Sequence, residues 1–194
     1  LKSFNMLSGA ISSIDEDKEG YPIRKLKVRA LLKDSWGRLW IGGENGLATY
    51  RNTDGQLERC DIQHNASPLQ SVFVQSIYES TTKLIWIATR TGLWCYDDKE
   101  NTFSHYTSAD GLANDIIDGI EEDSYGRLWL STDNGLSCFN PFSGTFRNFS
   151  TSDGLQSNQF NPGSHCRRRN GEIMFGGIYG ICSFTPSTIE DNPY

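Results

Sequence analysis

The sequence has no C-x-x-C pair, no phosphate-cradling glycine loop, and no apolar run near the roughly 18 residues needed to cross a membrane as a helix. Its five cysteines, Cys60, Cys95, Cys138, Cys166 and Cys182, are widely and irregularly spaced, which excludes both a disulfide framework and a zinc pattern. They are expected to be unpaired core thiols, because free cysteine behaves as a small buried hydrophobe. The three histidines, His64, His105 and His165, show no ligand spacing and read as exposed loop residues, so no metal and no cofactor is expected. Positive charge is in deficit: 18 Lys+Arg face 24 Asp+Glu, a net charge of −6, which argues against a nucleic-acid or anionic-membrane partner. Even the cluster Arg167-Arg168-Arg169 reads as a solvated hairpin. Leu1 opens directly into mixed sequence without a signal-peptide pattern, so the chain reads as an excised piece.

What the sequence does have is glycine, 19 residues of it, and an aromatic share of 12%. Glycine supplies positive φ at tight turns and aromatics cover pleated faces, a combination that suits an all-β protein. These residues fall into a repeat. The stretch from Asp123 to Leu136, D-S-Y-G-R-L-W-L-S-T-D-N-G-L, has an earlier copy from Asp34 to Leu47, a looser one from Leu84 to Leu93, and a degraded one from Asn170 to Ile181. Its second glycine recurs at Gly46, Gly92, Gly135 and Gly180, at intervals of 46, 43 and 45 residues. Such a period indicates a propeller blade or a helical repeat.

Each copy has four parts. Short apolar runs begin at Val28, Val74 and Ile117, each 12 positions before a tryptophan (Trp40, Trp86, Trp129), a constant spacing that fixes strand register. An Asp-Ser-aromatic-Gly turn follows, loosened to Thr81-Thr82-Lys83 in the second copy. A strand then carries the tryptophan, and a turn carries the glycine (Gly46, Gly92, Gly135). Last come two strands around a polar hairpin, marked by Tyr50 with Leu57, Tyr96 with Phe103, and Phe139 with Phe146. No helical period is sustained, so each unit reads as a four-stranded antiparallel propeller blade. The expected organisation is a degenerate or partial blade over 1–27, blade units at 28–73, 74–116 and 117–160, and a last partial blade with an exit segment at 161–194. That makes about three and a half to four blades. An open stack would expose apolar inter-blade faces, so closure by a small ring, by dimerisation or by further residues is expected.

Taken together, V-x-x-I-x-x-D-x-x-G-x-L-W-I-x-T-x-x-G-L-x-x-Y and the connecting D-G-L (Asp110-Gly111-Leu112, Asp153-Gly154-Leu155) resemble the two-component-regulator propeller repeat. Three units match from Val28 to about Leu155 and a fourth matches in part to Phe184. The resemblance implies the periplasmic sensor region of a hybrid two-component histidine kinase/response regulator, anchored at the inner membrane. Such a receptor would detect oligosaccharides and signal to a cytoplasmic kinase and a transcriptional output. It further implies neighbouring blades, a following β-sandwich domain and a homodimer in the intact receptor.

The competing readings are a structural or protein-docking propeller segment and a sialidase-like or lyase propeller enzyme. A glycosidase needs paired carboxylates converging on a channel. Here Asp34 and Asp123 sit at equivalent turn positions and read as turn formers, with Arg38 and Arg127 on a solvated hairpin; no catalytic residue is expected. The recurring tryptophans and glycines read as packing and register devices. Binding is therefore sought where loops end at the channel, at Asn114, Asp115, Asn158 and Gln159, with Gln70 and Ser71 as weaker members. Amide and carboxylate groups suit sugar hydroxyls, and Trp94 or Tyr179 would offer a stacking face.

Overall fold

Alternating apolar residues around glycine turns produce an all-β chain in the computed structural model, which describes residues 2–4, 6, 8, 11–13, 16, 22–51, 56–58 and 71–189. Cys60, His64 and Gln70 lie outside the described residues. A hairpin of β1 (Lys2–Phe4) and β2 (Ile11–Ser13) comes first. Blade 1 follows: β3 (Val28–Lys33), β4 (Leu39–Gly43), β5 (Gly46–Arg51) and β6 (Gln56–Glu58). Blade 2 comprises β7 (Val74–Glu79), β8 (Ile85–Thr89), β9 (Gly92–Asp97) and β10 (Thr102–Tyr106). Blade 3 comprises β11 (Ile117–Glu122), β12 (Leu128–Thr132), β13 (Gly135–Asn140) and β14 (Thr145–Phe149). Blade 4 has three described strands, β15 (Phe160–Arg167), β16 (Ile173–Gly177) and β17 (Gly180–Phe184). Every sheet is an antiparallel meander, and the inner strands β3, β7, β11 and β15 lie beside one another.

The register repeats with the sequence. In the first three blades the inner strand carries a bulge just after its leading residue, at Val28/Ala30, Val74/Ser76 and Ile117/Gly119. A bulge adds one residue and re-aims a side chain. The recurring glycine is required by the backbone: Gly135 has φ +97°, and a Cβ there would lie 2.2 Å from the carbonyl oxygen of Phe149.

The core lies between blades, because the second strand of each of the first three blades uses both of its faces. On β8, Ile85 and Ile87 pack toward Trp40 and Leu47 of blade 1, while Trp86 and Ala88 pack toward Ile117, Ile120, Leu128, Leu130 and Phe139 of blade 3. Trp129, Leu136 and Cys138 meet Phe160, Ile173 and Phe175 in the same way. A turn of 3-10 helix, Ile23–Leu26, covers the free face of blade 1 through Ile23 and Leu26 against Ile41 and Ala48.

Several expectations about single residues change. Arg38 is not solvated: its side chain is 11% exposed, its Nε donates to Asp34 Oδ2 at 2.6 Å, and its Nη1 reaches Asp98 of blade 2. Asp34 also accepts from the Trp40 indole N–H at 2.9 Å, and Asp123 accepts from Trp129 at 3.0 Å. The turn carboxylate is therefore a buried hub that satisfies the tryptophan beside it. Burial works to raise the Asp34 pKa, but the donors Trp40 and Arg38 outweigh it and hold the carboxyl below its ordinary value. Among the cysteines, Cys95 and Cys138 are buried, but Cys166 is exposed, because its side of β15 has no described blade against it. His105 is on a strand, stacked on Trp94 at 3.9 Å, and His165 is half-buried with Nδ1 at 2.9 Å from Glu121. Neither is a free loop residue.

Candidate functional site

Three kinds of element meet at one end of the blade stack. The inner strands begin there, the glycine turns lie there, and the connections between blades finish there. Three backbone bonds tie these parts together: Gly92 N–H donates to Asp115 O at 2.8 Å, Gly135 N–H to Asn158 O at 2.7 Å, and Arg90 N–H to Phe73 O at 3.2 Å. This places the candidate residues of the connections at the same pole.

Most of those residues use a side-chain oxygen to shape their own loop. Asn114 Oδ1 accepts from Ile116 N–H at 2.8 Å, Asp115 Oδ1 from Ser108 N–H at 2.6 Å, and Asn158 Oδ1 from Thr151 N–H at 2.9 Å. Asp115 and Asn158 therefore do the same job in successive blades. Gln159 and Ser71 are exposed. Trp94 is buried under His105 and offers no free stacking face, whereas Tyr179, at the β16–β17 turn, is 75% exposed.

The polar residues at the inner-strand bulges, Arg29, Gln75 and Asp118, form a second set at this pole that the sequence reading passed over. Gln75 Nε2 donates to Asp118 Oδ1 at 3.3 Å across blades 2 and 3. Asp118 is 2% exposed and its Oδ2 has no hydrogen-bond partner among the described residues. Burial pushes its pKa up to about 6, the Asp133 charge adds to that, and Arg90 and the Gln75 bond oppose it. The Arg90 guanidinium lies 4.1 Å from the Phe73 ring centroid, and Arg29 lies 5.7 Å from the same ring while its Nη2 donates to Glu44 at 2.6 Å. Planar polar groups and an aromatic ring that carries cations suit a hydroxyl-rich ligand with in-plane donors and acceptors. The signal was present in the sequence: the residue after each leading Val or Ile is polar and different in every blade, Arg29, Gln75 and Asp118, inside an otherwise apolar run.

The opposite pole holds the blades together. Glu79 of blade 2 accepts from Ser35 N–H of blade 1 at 2.8 Å, and Glu122 of blade 3 accepts from Thr81 N–H and Thr81 Oγ1 of blade 2 at 2.9 and 2.8 Å. Burial raises the Cys95 thiol to about 12 and the Cys138 thiol to about 11, which leaves both inert as nucleophiles near neutrality. Among the described residues no group of three His, Cys, Asp or Glu is placed to hold a metal ion.

Comparison with known proteins fits this geometry. The family profile described as "Two component regulator propeller" matches residues 23–45 and 111–134. The extracellular domain of the hybrid two-component system BT3049 from B. thetaiotaomicron is 29% identical, with a TM-score of 0.76 over 92% of this chain and 24% of that one. Histidine kinase P4 of Formosa agariphila is 29% identical over 137 residues, 71% of this chain and 7% of that protein. Virginiamycin B lyase from Staphylococcus aureus is 19% identical, with a TM-score of 0.57 over 84% of this chain and 57% of that one, a likeness of fold alone. The chain thus spans only a small part of the two-component relatives that it matches.

Proposed function

Because this chain carries two-component-regulator propeller repeats, we propose that it is a non-enzymatic section of the extracellular or periplasmic sensor of a two-component receptor. The observation that carries this reading is the 29%-identical superposition on an extracellular domain of a hybrid two-component system, over nearly the whole chain. In this reading the receptor detects an oligosaccharide. The pole with Gln75, Arg90 and Asp118, flanked by Asn114, Asp115, Asn158, Gln159 and Ser71, supplies the contacts this section makes. Binding shifts blade geometry within a homodimer, and the shift passes through a following β-sandwich to a cytoplasmic kinase and a transcriptional output.

Support comes from the chemistry of the pole. Among the described residues the buried Oδ2 of Asp118 has no partner and Arg90 lies over a ring, both arrangements that a polar ligand would complete. Calorimetric titration of the intact extracellular region with a panel of oligosaccharides tests the reading: saturable binding by at least one supports it, and no binding across the panel removes direct capture. A structural or protein-docking role is the second reading, favoured by the loop-shaping bonds of Asn114, Asp115 and Asn158. Turnover of a panel member would instead make the protein an enzyme.

A further inference from the structure

The inner strand of blade 4 carries two residues that the other inner strands lack. Phe160 pairs with Gly177 as Val74 pairs with Thr89 and Ile117 with Thr132, yet it stands 14 positions before Met174, the counterpart of the repeat tryptophan, where the first three blades have 12. Pairing resumes only at His165 with Phe175, so the bulge of the earlier blades is widened here to Asn161-Pro162-Gly163-Ser164. Aligned from both ends, Asn161 takes the place of Arg29, Gln75 and Asp118, and Ser164 that of Ala30, Ser76 and Gly119; Pro162-Gly163 is the insertion. Both ends of the bulge are anchored. Phe160 is buried in the core between blades 3 and 4, and a Cβ at Gly176 would lie 2.9 Å from that of Ser164. His165, the next residue, leans onto blade 3: a Cβ at Gly119 would lie 2.4 Å from its ring, and its Nδ1 is 2.9 Å from Glu121. The widened bulge is thereby held against the strand segment that carries Asp118.

Packing does not account for the insertion. Asn161, Pro162 and Gly163 are exposed, and Gly163 has φ +71° with open space where a Cβ would stand, so glycine serves the backbone turn and not a close contact. The register shift lies within blade 4, between β15 and β16, and so does not depend on what stands against the blade. Bulges re-aim side chains and gather beside binding sites. We infer that Asn161, set outward by Pro162-Gly163, is the fourth ligand-reading residue of the pole and takes two neighbouring hydroxyls of the oligosaccharide on its amide. The inference rests on the sensor reading above and names a contact of that same site. The group suits the task, because Nδ2 donates and Oδ1 accepts in one plane. Asn114, Asp115 and Asn158 spend side-chain oxygens on their own loops, whereas the Asn161 amide has no hydrogen-bond partner among the described residues. The fixed φ of Pro162 and the anchors on both sides leave Asn161 little backbone freedom to lose on binding.

Calorimetric titration of the intact extracellular region with a panel of xylo-, arabino-, galacto- and manno-oligosaccharides tests this in three proteins. These are the parent, Asn161→Ala, and a variant lacking Pro162 and Gly163, which restores the 12-residue spacing of the other blades. Both variants are expected to keep the parent's thermal midpoint, because neither removes a buried group, and to bind the parent's tightest panel member about tenfold or more weakly. If the deletion fails to fold, Asn161→Ala decides alone. Parent-like affinity in either folded variant would overturn the inference and leave the sensor reading standing. Absence of binding by the parent across the panel would overturn both.

Discussion

The junction between blades 2 and 3 and that between blades 3 and 4 are built from the same repeat, yet among the described residues only the first has four strands on both sides. In the first, Phe139 is fully buried among Trp86, Tyr106 and Phe146, and Glu122 holds the Thr81 turn. In the second, Phe184 is half-buried, Arg167 occupies the position equivalent to Glu122, and the junction relies on Glu121 with His165 and on Arg127 with Pro186. The contrast shows that recurring residues bury the centre of both junctions, while the outer rim closes only where both neighbours contribute four described strands.

The largest expected effect tests that contrast directly. Phe139→Ala should cost about 3–5 kcal/mol by denaturant unfolding, the usual penalty for emptying a packed aromatic site, and Phe184→Ala should cost clearly less. Equal losses would mean that the two junctions are equally closed. Next is the turn hub. Asp34→Ala leaves Arg38 with Asp98 alone and strands the Trp40 N–H, and should cost about 3 kcal/mol at pH 7. Because the Asp34 pKa is lowered by folding, its stabilisation is present above the ordinary carboxylate range and is lost as pH falls through the lowered value. The variant should therefore converge on the parent protein in acid.

Asp118→Asn sharpens the comparison between the two poles, because it acts in the opposite direction. Folding raises the Asp118 pKa to about 6, so its protonated form favours the fold. Stability from this group is complete below about pH 4 and is lost as pH rises through about 6. The variant should gain about 2 kcal/mol at pH 8 and nothing at pH 4, read as thermal midpoints across pH; destabilisation at pH 8 would show that the charged form is satisfied. The smallest effect concerns blade 2, where Lys83 holds φ +71° at the turn position that Gly37 and Gly126 fill in blades 1 and 3. Lys83→Gly should stabilise by about 1 kcal/mol, and a loss would mean that the 3.5 Å contact of Lys83 with Glu79 outweighs backbone strain.

The blades were legible in the sequence because their period, turn glycines and tryptophan spacing are local signals, each repeated. The partners of the turn residues were not. Asp34 and Arg38 read as turn and surface residues, since nothing local shows that Asp98, 60 positions away, meets Arg38 across a blade junction. The connections do end at one pole, but the polar pair there was hidden: Gln75 and Asp118 sit inside apolar runs, and only the bulge, a property of pairing, brings them into contact. Cys166 read as core for the same reason, because burial on blade 4 depends on a neighbour that a single repeat does not reveal, whereas Cys182 does pack against the core.

The central claim is that what recurs holds the blades and what does not recur meets the ligand. Its most direct test is a calorimetric titration of the intact extracellular region with an oligosaccharide panel, run for the parent protein, Arg90→Ala and Asp123→Ala, with the thermal midpoint of each. The account predicts that Arg90→Ala weakens binding about tenfold or more at an unchanged midpoint, while Asp123→Ala lowers the midpoint and leaves affinity intact below it. Binding indifferent to Arg90→Ala but abolished in folded Asp123→Ala would contradict it.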